Sequence, residues 1–372
     1  MKKILPYKYP EITSWTWTAG NFAILGNYSN ATAWLYSNFA QLFCERYDKW
    51  VSVHYIPHLD VFSNNPFFQS SLLSRELISE LNIDIISFVK KCIELNYYIY
   101  CKVDEGGMRG KNRFLHELMV FGYDDASETL QIADFTFSNS QKYMFSSTTY
   151  EKFRKAYESV MLEEDDMQDG IGGDGGILIF KVNDEYEYEF NQQLLITSLK
   201  DYLNGTDSGS NYRTYDLNKA SSFSKGLRDV CYGINIYKEI MRYYKEVATG
   251  SNKFYIQPLH VLYDHKVLMV DRIKYLREQK NIDISKSVTE DFLKLMKKVE
   301  IIRNMGVKYW INKDTKILEK IVKNLDAIME EDKIQLFYDC RTIGERRNYY
   351  LCLSIVNLMI IDFGGDLFGI YG

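Results

Sequence analysis

Cysteine pairs at metal or redox spacing are missing from this 372-residue chain: Cys44, Cys92, Cys101, Cys231, Cys340 and Cys352 include no CxxC. That argues against the common zinc sites and against a disulfide framework, so reduced and mostly buried thiols are expected. Basic runs interleaved with aromatics are also missing, and the formal charge is −5. A nucleic-acid partner is therefore not expected. The longest apolar run, Ile355 to Ile361, is broken by Asn357 and is far short of the roughly 20 residues of a membrane helix. Lys2 and Lys3 open the chain with no apolar stretch behind them, unlike a signal peptide, so a cytoplasmic location away from membranes is expected. Histidines number only five. "HYIPH" (His54, His58) has no carboxylate or thiol at ligand spacing, and His260 with His265 sits on a basic helical stretch. No metal and no bound cofactor are expected.

What is present suffices for two domains, with 46% hydrophobic residues to bury. The boundary is "EEDDMQDGIGGDGG" (163–176), where acidic residues and glycines replace hydrophobic periodicity. An EF-hand would need an oxygen ligand in place of Met167 and a glutamate in place of Gly176, and a phosphate loop would need a helix next; "GILIFKV" reads as a strand instead. The division expected is residues 1–162, an acidic Gly-rich linker over 163–176, and a mainly helical part over 177–372. In the first part, "DIISFVKKCIEL" has the apolar spacing of one helix face with Asp84 as its cap. "NYYIYCKV", "LHELMVFGY" and "TLQIADF" then read as strands, which makes the fold class α+β. In the second part "NQQLLITSLKDYLNG", "NIYKEIMRYYKEV" and "HVLYDHKVLMVDRIKYL" carry helical stripes. "SVTE" (287–290) resembles a capping box that opens another helix. The tail "NYYLCLSIVNLMII" fits a buried strand pair or a core helix.

One histidine and one aspartate stand out. If "DDASE" closes a hairpin centred near Ala126, Asp134 faces Leu118 and His116 faces Thr136. His116 and Asp134 are then diagonal neighbours on one face, roughly 7 to 8 Å apart at Cα. A carboxylate beside an imidazole fixes its tautomer and supports its charged form, as a general base requires. The bland alternative is a strand-end histidine bonded to any nearby polar group.

The order of a strand-mouth His116, "GYDD" and "IADF" resembles the C39-type branch of papain-like cysteine peptidases. It resembles still more the butirosin-biosynthesis H-type family, in which that fold serves as an acyltransferase. "ATAWLYSNFAQL", "FNQQLLITSLKDYLNGTDS", "YGINIYKEI" and "LHVLYDHKVLMVDRIKYL" extend the likeness over most of the chain. The resemblance implies a papain-like N-terminal domain and a helical second domain that shapes the substrate pocket. It implies a Cys-His-Asp triad with the cysteine at the start of the first long helix. In "TSWTWTAGNFAILGN" that helix is expected to start around Gly20, which places Ala19 at the nucleophile position, with Thr16 and Thr18 as neighbouring candidates. Either alanine has been substituted there or the chain is a naturally inactive member. Cys44, expected in a helical stretch, and Cys101, in a strand interior, do not replace it.

The resemblance further implies the reaction. A thiolate at position 19 attacks a thioester on the phosphopantetheine arm of a carrier protein, and the acyl-enzyme passes its chain to a small amine or diamine. His116 moves the protons, Asp134 orients the ring, and a backbone N–H at the helix start holds the oxyanion. Residues 11 to 18 contain no glutamine for that last role. A peptidase of the same fold and a non-catalytic protein that binds a carrier-bound chain are the alternatives.

Overall fold

The structure, a computed structural model, describes residues 1–135, 142–162, 176–211 and 229–344. Residues 163–175 of the expected linker and the expected tail element lie outside them.

Alternating β-branched and aromatic segments build two sheets, antiparallel at every pair. The larger holds β1 (Lys2–Ile4), β4 (Phe68–Ser74), β5 (Tyr98–Asp104), β6 (Leu115–Asp124), β7 (Thr129–Asp134), β8 (Met144–Thr149) and β9 (Gly176–Val182). Its order is β4-β9-β5-β6-β7-β8, with β1 on the far end of β6. The smaller sheet holds β2 (Gln41–Arg46), β3 (Val51–Ile56) and β10 (Asp229–Tyr232) in the order β10-β2-β3. The helices among the described residues are α1 (Thr16–Leu25), α2 (Thr32–Ser37), α3 (Arg75–Glu80), α4 (Ile85–Glu94), α5 (Glu105–Met108) and α6 (Tyr150–Glu158), then α7 (Gln192–Asn204), α8 (Ile236–Ala248), α9 (Gln257–Glu278), α10 (Lys286–Asn312) and α11 (Thr315–Gly344). The architecture is α+β, and no helix among the described residues is long and apolar enough to cross a membrane.

Local chemistry explains most boundaries. Asp84 caps α4 by accepting the Ser87 N–H at 2.9 Å. α10 starts earlier than "SVTE" suggests: Ser285, not Ser287, accepts the N–H three residues on, from Val288, so Ser287 already lies in the first turn. Cys44 lies in β2 rather than in a helix, because "QLFCER" pairs on both sides with β-rich neighbours.

α9 runs through the interior, with apolar residues buried around most of its circumference. Its polar residues must therefore find partners inside the protein. Asp264 Oδ2 accepts the N–H groups of Thr13 and Ser14, each at 2.8 Å. His265 Nε2 donates to the Ala40 carbonyl at 2.9 Å. Lys266 Nζ reaches both Asp332 oxygens at 2.6 Å, and Asp332 Oδ2 also accepts the Tyr202 and Tyr237 hydroxyls at 2.9 and 3.0 Å. The Lys266 and Asp332 side chains have no solvent exposure. Arg272 donates to the carbonyls of Tyr36 and Asn38. Burial, reinforced by Lys266, holds the His265 pKa well below its usual value, so the ring is neutral and can accept from Lys266.

Lys266→Met would strand the Asp332 carboxylate and is expected to cost about 3–5 kcal/mol in urea unfolding. Lys266→Met/Asp332→Leu should recover part of that loss; a double variant as unstable as the single one would show that the charges are not what holds this region.

Candidate active site at the mouth of the larger sheet

α1 begins at Thr16, a turn earlier than expected. The N–H groups of Thr13 and Ser14 are taken by Asp264, and Trp15 in extended conformation leads directly into the helix. Ala19 is consequently inside α1, fully buried, with its own N–H bonded to the Trp15 carbonyl at 2.8 Å. That N–H has no capacity left for an oxyanion. The helix packs closely: a Cβ added at Gly20 would stand 2.7 Å from Met119 Cε and 3.4 Å from the Tyr7 hydroxyl. Thr16 Oγ1 is 2.9 Å from the Tyr100 hydroxyl, a contact in which either oxygen can donate. Among the residues in front of α1, Ser14 has a buried hydroxyl outside good hydrogen-bond geometry; burial raises the Asp264 pKa to about 6, and the nearby Ser14 and Thr13 oppose that rise.

The hairpin register near its open end is the expected one, with Met119 opposite Ala133 and Val120 opposite Ile132. A bulge between Val120 and Gly122 shifts the pairing closer to the turn. By alternation His116 shares a face with Leu118, and Met119, against which α1 packs, lies on the other. Asp134 ends β7 with no exposure. Burial, then the neighbouring Tyr143, then the charge of Asp134 push the Tyr7 phenol well above its usual pKa. Phe135 stands edge-on to both His116 and Tyr143 at 6.3 and 5.6 Å, and Tyr143 shares a hydrogen bond with Tyr7. These aromatics connect the two faces at the sheet's open end.

The carboxylate beside His116 is one that sequence reasoning passed over. Glu105 Oε1 lies 3.5 Å from His116 Nδ1, and the Glu117 carbonyl oxygen lies 3.0 Å from the same nitrogen. Glu105 is 1% exposed and its other oxygen meets Arg109 at 3.5 Å. The turn that aims it is tightly built: Asp104 Oδ1 accepts the N–H groups of Gly107 and Phe114, at 3.0 and 2.9 Å. A Cβ at Gly106 would stand 1.9 Å from the Asn112 carbonyl oxygen, so only glycine fits there. "DEGG" was the available signal, a capping aspartate and two glycines that turn a buried glutamate back toward the next strand.

With Nδ1 so held, Nε2 makes no hydrogen bond among the described residues, and the side chain is 28% exposed. Burial alone would lower the His116 pKa. The Glu105 hydrogen bond and the Glu117 and Glu105 charges outweigh it and raise the value to about 9. At neutral pH the ring is an imidazolium, a proton donor at rest.

A second titratable group abuts α1. Glu45 Oε2 accepts the Tyr47 hydroxyl at 3.0 Å and lies 3.3 Å from His54 Nε2, in charge contact but off the line of a good hydrogen bond. His54 Nδ1 is 2.8 Å from His58 Nε2, and Trp15 stacks on His54. Burial opposes the Glu45 charge, yet His54 and His58 hold its pKa down to about 2. The carboxylate missing from "HYIPH" thus arrives across the strand pair. Among the described residues no group of three or more His, Cys, Asp or Glu is arranged to hold a metal.

No protein-family model matches this chain, and no curated protein matches it either.

The His116 ring should titrate by NMR with a midpoint near 9, and Glu105→Gln should move it clearly downward, because burial then acts against Glu117 alone. Raised in the folded state, this group's stabilisation is present below pH 6.5 and fades as pH rises toward 9. A midpoint unmoved by Glu105→Gln would remove Glu105 from the site.

Proposed function

We propose that this chain acts on carrier-bound acyl thioesters in a papain-like (C39-type) frame, as an amide-forming acyltransferase of antibiotic biosynthesis akin to the butirosin-biosynthesis H-type family. The observation that carries the reading is the His116 imidazolium, held on Nδ1 by Glu105 and the Glu117 carbonyl in a side chain that is partly exposed. The amide synthase of closthioamide assembly is a parallel in kind, for polythioamide or nonribosomal-peptide chains.

The chemistry suits that ring. Amide formation breaks the thioester C–S bond, forms a C–N bond and returns the carrier's pantetheine sulfur as a thiol. A resting imidazolium supplies the proton that the departing sulfur needs, and the neutral ring then takes one from the attacking amine. Glu105 beside it favours the ring's charged form. Glu117, partly exposed at the same mouth, favours a cationic amine or diamine. A thioester lies above an amide in free energy, so the transfer requires no ATP.

A second reading follows from position 19. Ala19 is enclosed by its own helix and bears no nucleophile, which favours a protein that holds a carrier-bound chain without forming a covalent intermediate. If the covalent route operates in relatives of this kind, Ser14, two residues before α1 and with a hydroxyl outside good hydrogen-bond geometry, is a second nucleophile position to test beside Ala19.

Intact-protein mass spectrometry separates these readings. Wild type, Ala19→Cys and Ser14→Cys would each be mixed with acyl-pantetheine thioesters, with and without His116→Ala. The transferase reading expects an acyl adduct on at least one cysteine variant, lost with His116→Ala and discharged by diamine to an amide. Discharge to free acid without amide would indicate a peptidase. Folded variants that gain no adduct, alongside wild type that binds the acyl-carrier, would leave the holding role.

A further inference from the structure

We infer that Cys44 and Cys231 form a reversible thiol-oxidation site that closes to a cross-strand disulfide. Cys231 in β10 is directly opposite Cys44 in the antiparallel pairing with β2. Residues so opposed have Cα atoms about 4.5 or 5.5 Å apart, according to their place in the ladder. Both values lie within the roughly 4.4–6.8 Å that a disulfide spans. Opposed residues also project from the same face, so the two sulfurs lie together without any change of register. Both cysteines are free thiols in the structure.

The two differ in a way that assigns their roles. Cys231 is partly exposed and Cys44 is buried. The neighbouring Cys231 thiol, then burial, push the Cys44 thiol well above its usual pKa. Cys231 is therefore the sulfur that meets an oxidant, and Cys44 the one that resolves the product. With a peroxide as oxidant, the Cys231 sulfur attacks the O–O bond, becomes a sulfenic acid and releases one water. The Cys44 sulfur then attacks the Cys231 sulfur, the S–S bond forms, and the sulfenic oxygen leaves as a second water. Two thiols give up two electrons and two protons, and the peroxide takes both. Because the resolving thiol must lose its proton, closure should quicken as pH rises. Because Cys231 is partly exposed, the link is open to attack by a thiol, which places it among the readily reduced disulfides.

The link would clamp β10 to β2, and with it the start of α8, four residues on from Tyr232. The same sheet presents Glu45 and His54 on its opposite face, so the clamp acts on the strand next to that carboxylate–imidazole pair.

The test uses the wild-type chain. Native protein would be exposed to stoichiometric hydrogen peroxide, alkylated under denaturing conditions, and measured by intact and peptide mass spectrometry. The expected result is a species two hydrogens lighter, with four of its six thiols alkylated, a cross-linked Cys44–Cys231 peptide, and full reversal by dithiothreitol. Cys231→Ser should abolish the species. Six alkylated thiols after treatment, sulfinic acid at Cys231 with Cys44 still alkylatable, or a link between other cysteines would each overturn the inference.

Discussion

The structure depends on the interior course of α9. A helix surrounded by protein can keep ionic residues only if every one of them is answered, and α9 carries Asp264, His265, Lys266 and Arg272 buried. Their partners are drawn from the segment before α1, the turn before β2, the carbonyls at the C-terminal end of α2 and the middle of α11. These contacts are directional, so they set how the helices sit on the sheets more narrowly than apolar packing does. The same carboxylate that receives Thr13 and Ser14 also decides where α1 starts. A residue in the helical half thereby fixes the geometry of the region in which a nucleophile was sought.

That dependence explains which features were legible in the sequence. Strands β5, β6 and β7 and helix α4 follow from alternation, turn chemistry and an Asp84 cap, all local. The register that places Ala133 opposite Met119 follows from a short loop. The start of α1 could not be read, because it is settled by Asp264, some 250 residues away. Cys44 was misplaced in a helix for a similar reason: its strand is defined by β3 and by β10, the latter remote in sequence. Ser285 rather than Ser287 caps α10 because two serines compete and the helix extends to the earlier one.

The site divides along the same line. His116 was picked out by its place at a strand mouth, yet the carboxylate the structure brings against Nδ1 is Glu105. A glutamate in "DEGG" looks like part of an ordinary polar turn until the turn closes over Asp104. Likewise "HYIPH" lacked a carboxylate only along the chain, and Glu45 supplies one across the ladder. Pairings across strands and turns are invisible to a linear reading unless the register is known, and the register was inferred for one hairpin only.

The place of β9 bears on how the chain is made. It begins beyond residue 175 but sits between β4 and β5, which are themselves drawn together only through it. A growing chain that has reached residue 162 carries two unsatisfied strand edges inside what will be one sheet. The hairpins from β5 to β8 can pair as they emerge, while the sheet's middle waits for a long-range insertion. Folding of this half is therefore bound to a slow non-local step, and the interval before it is when the nascent protein is most open to association with other chains.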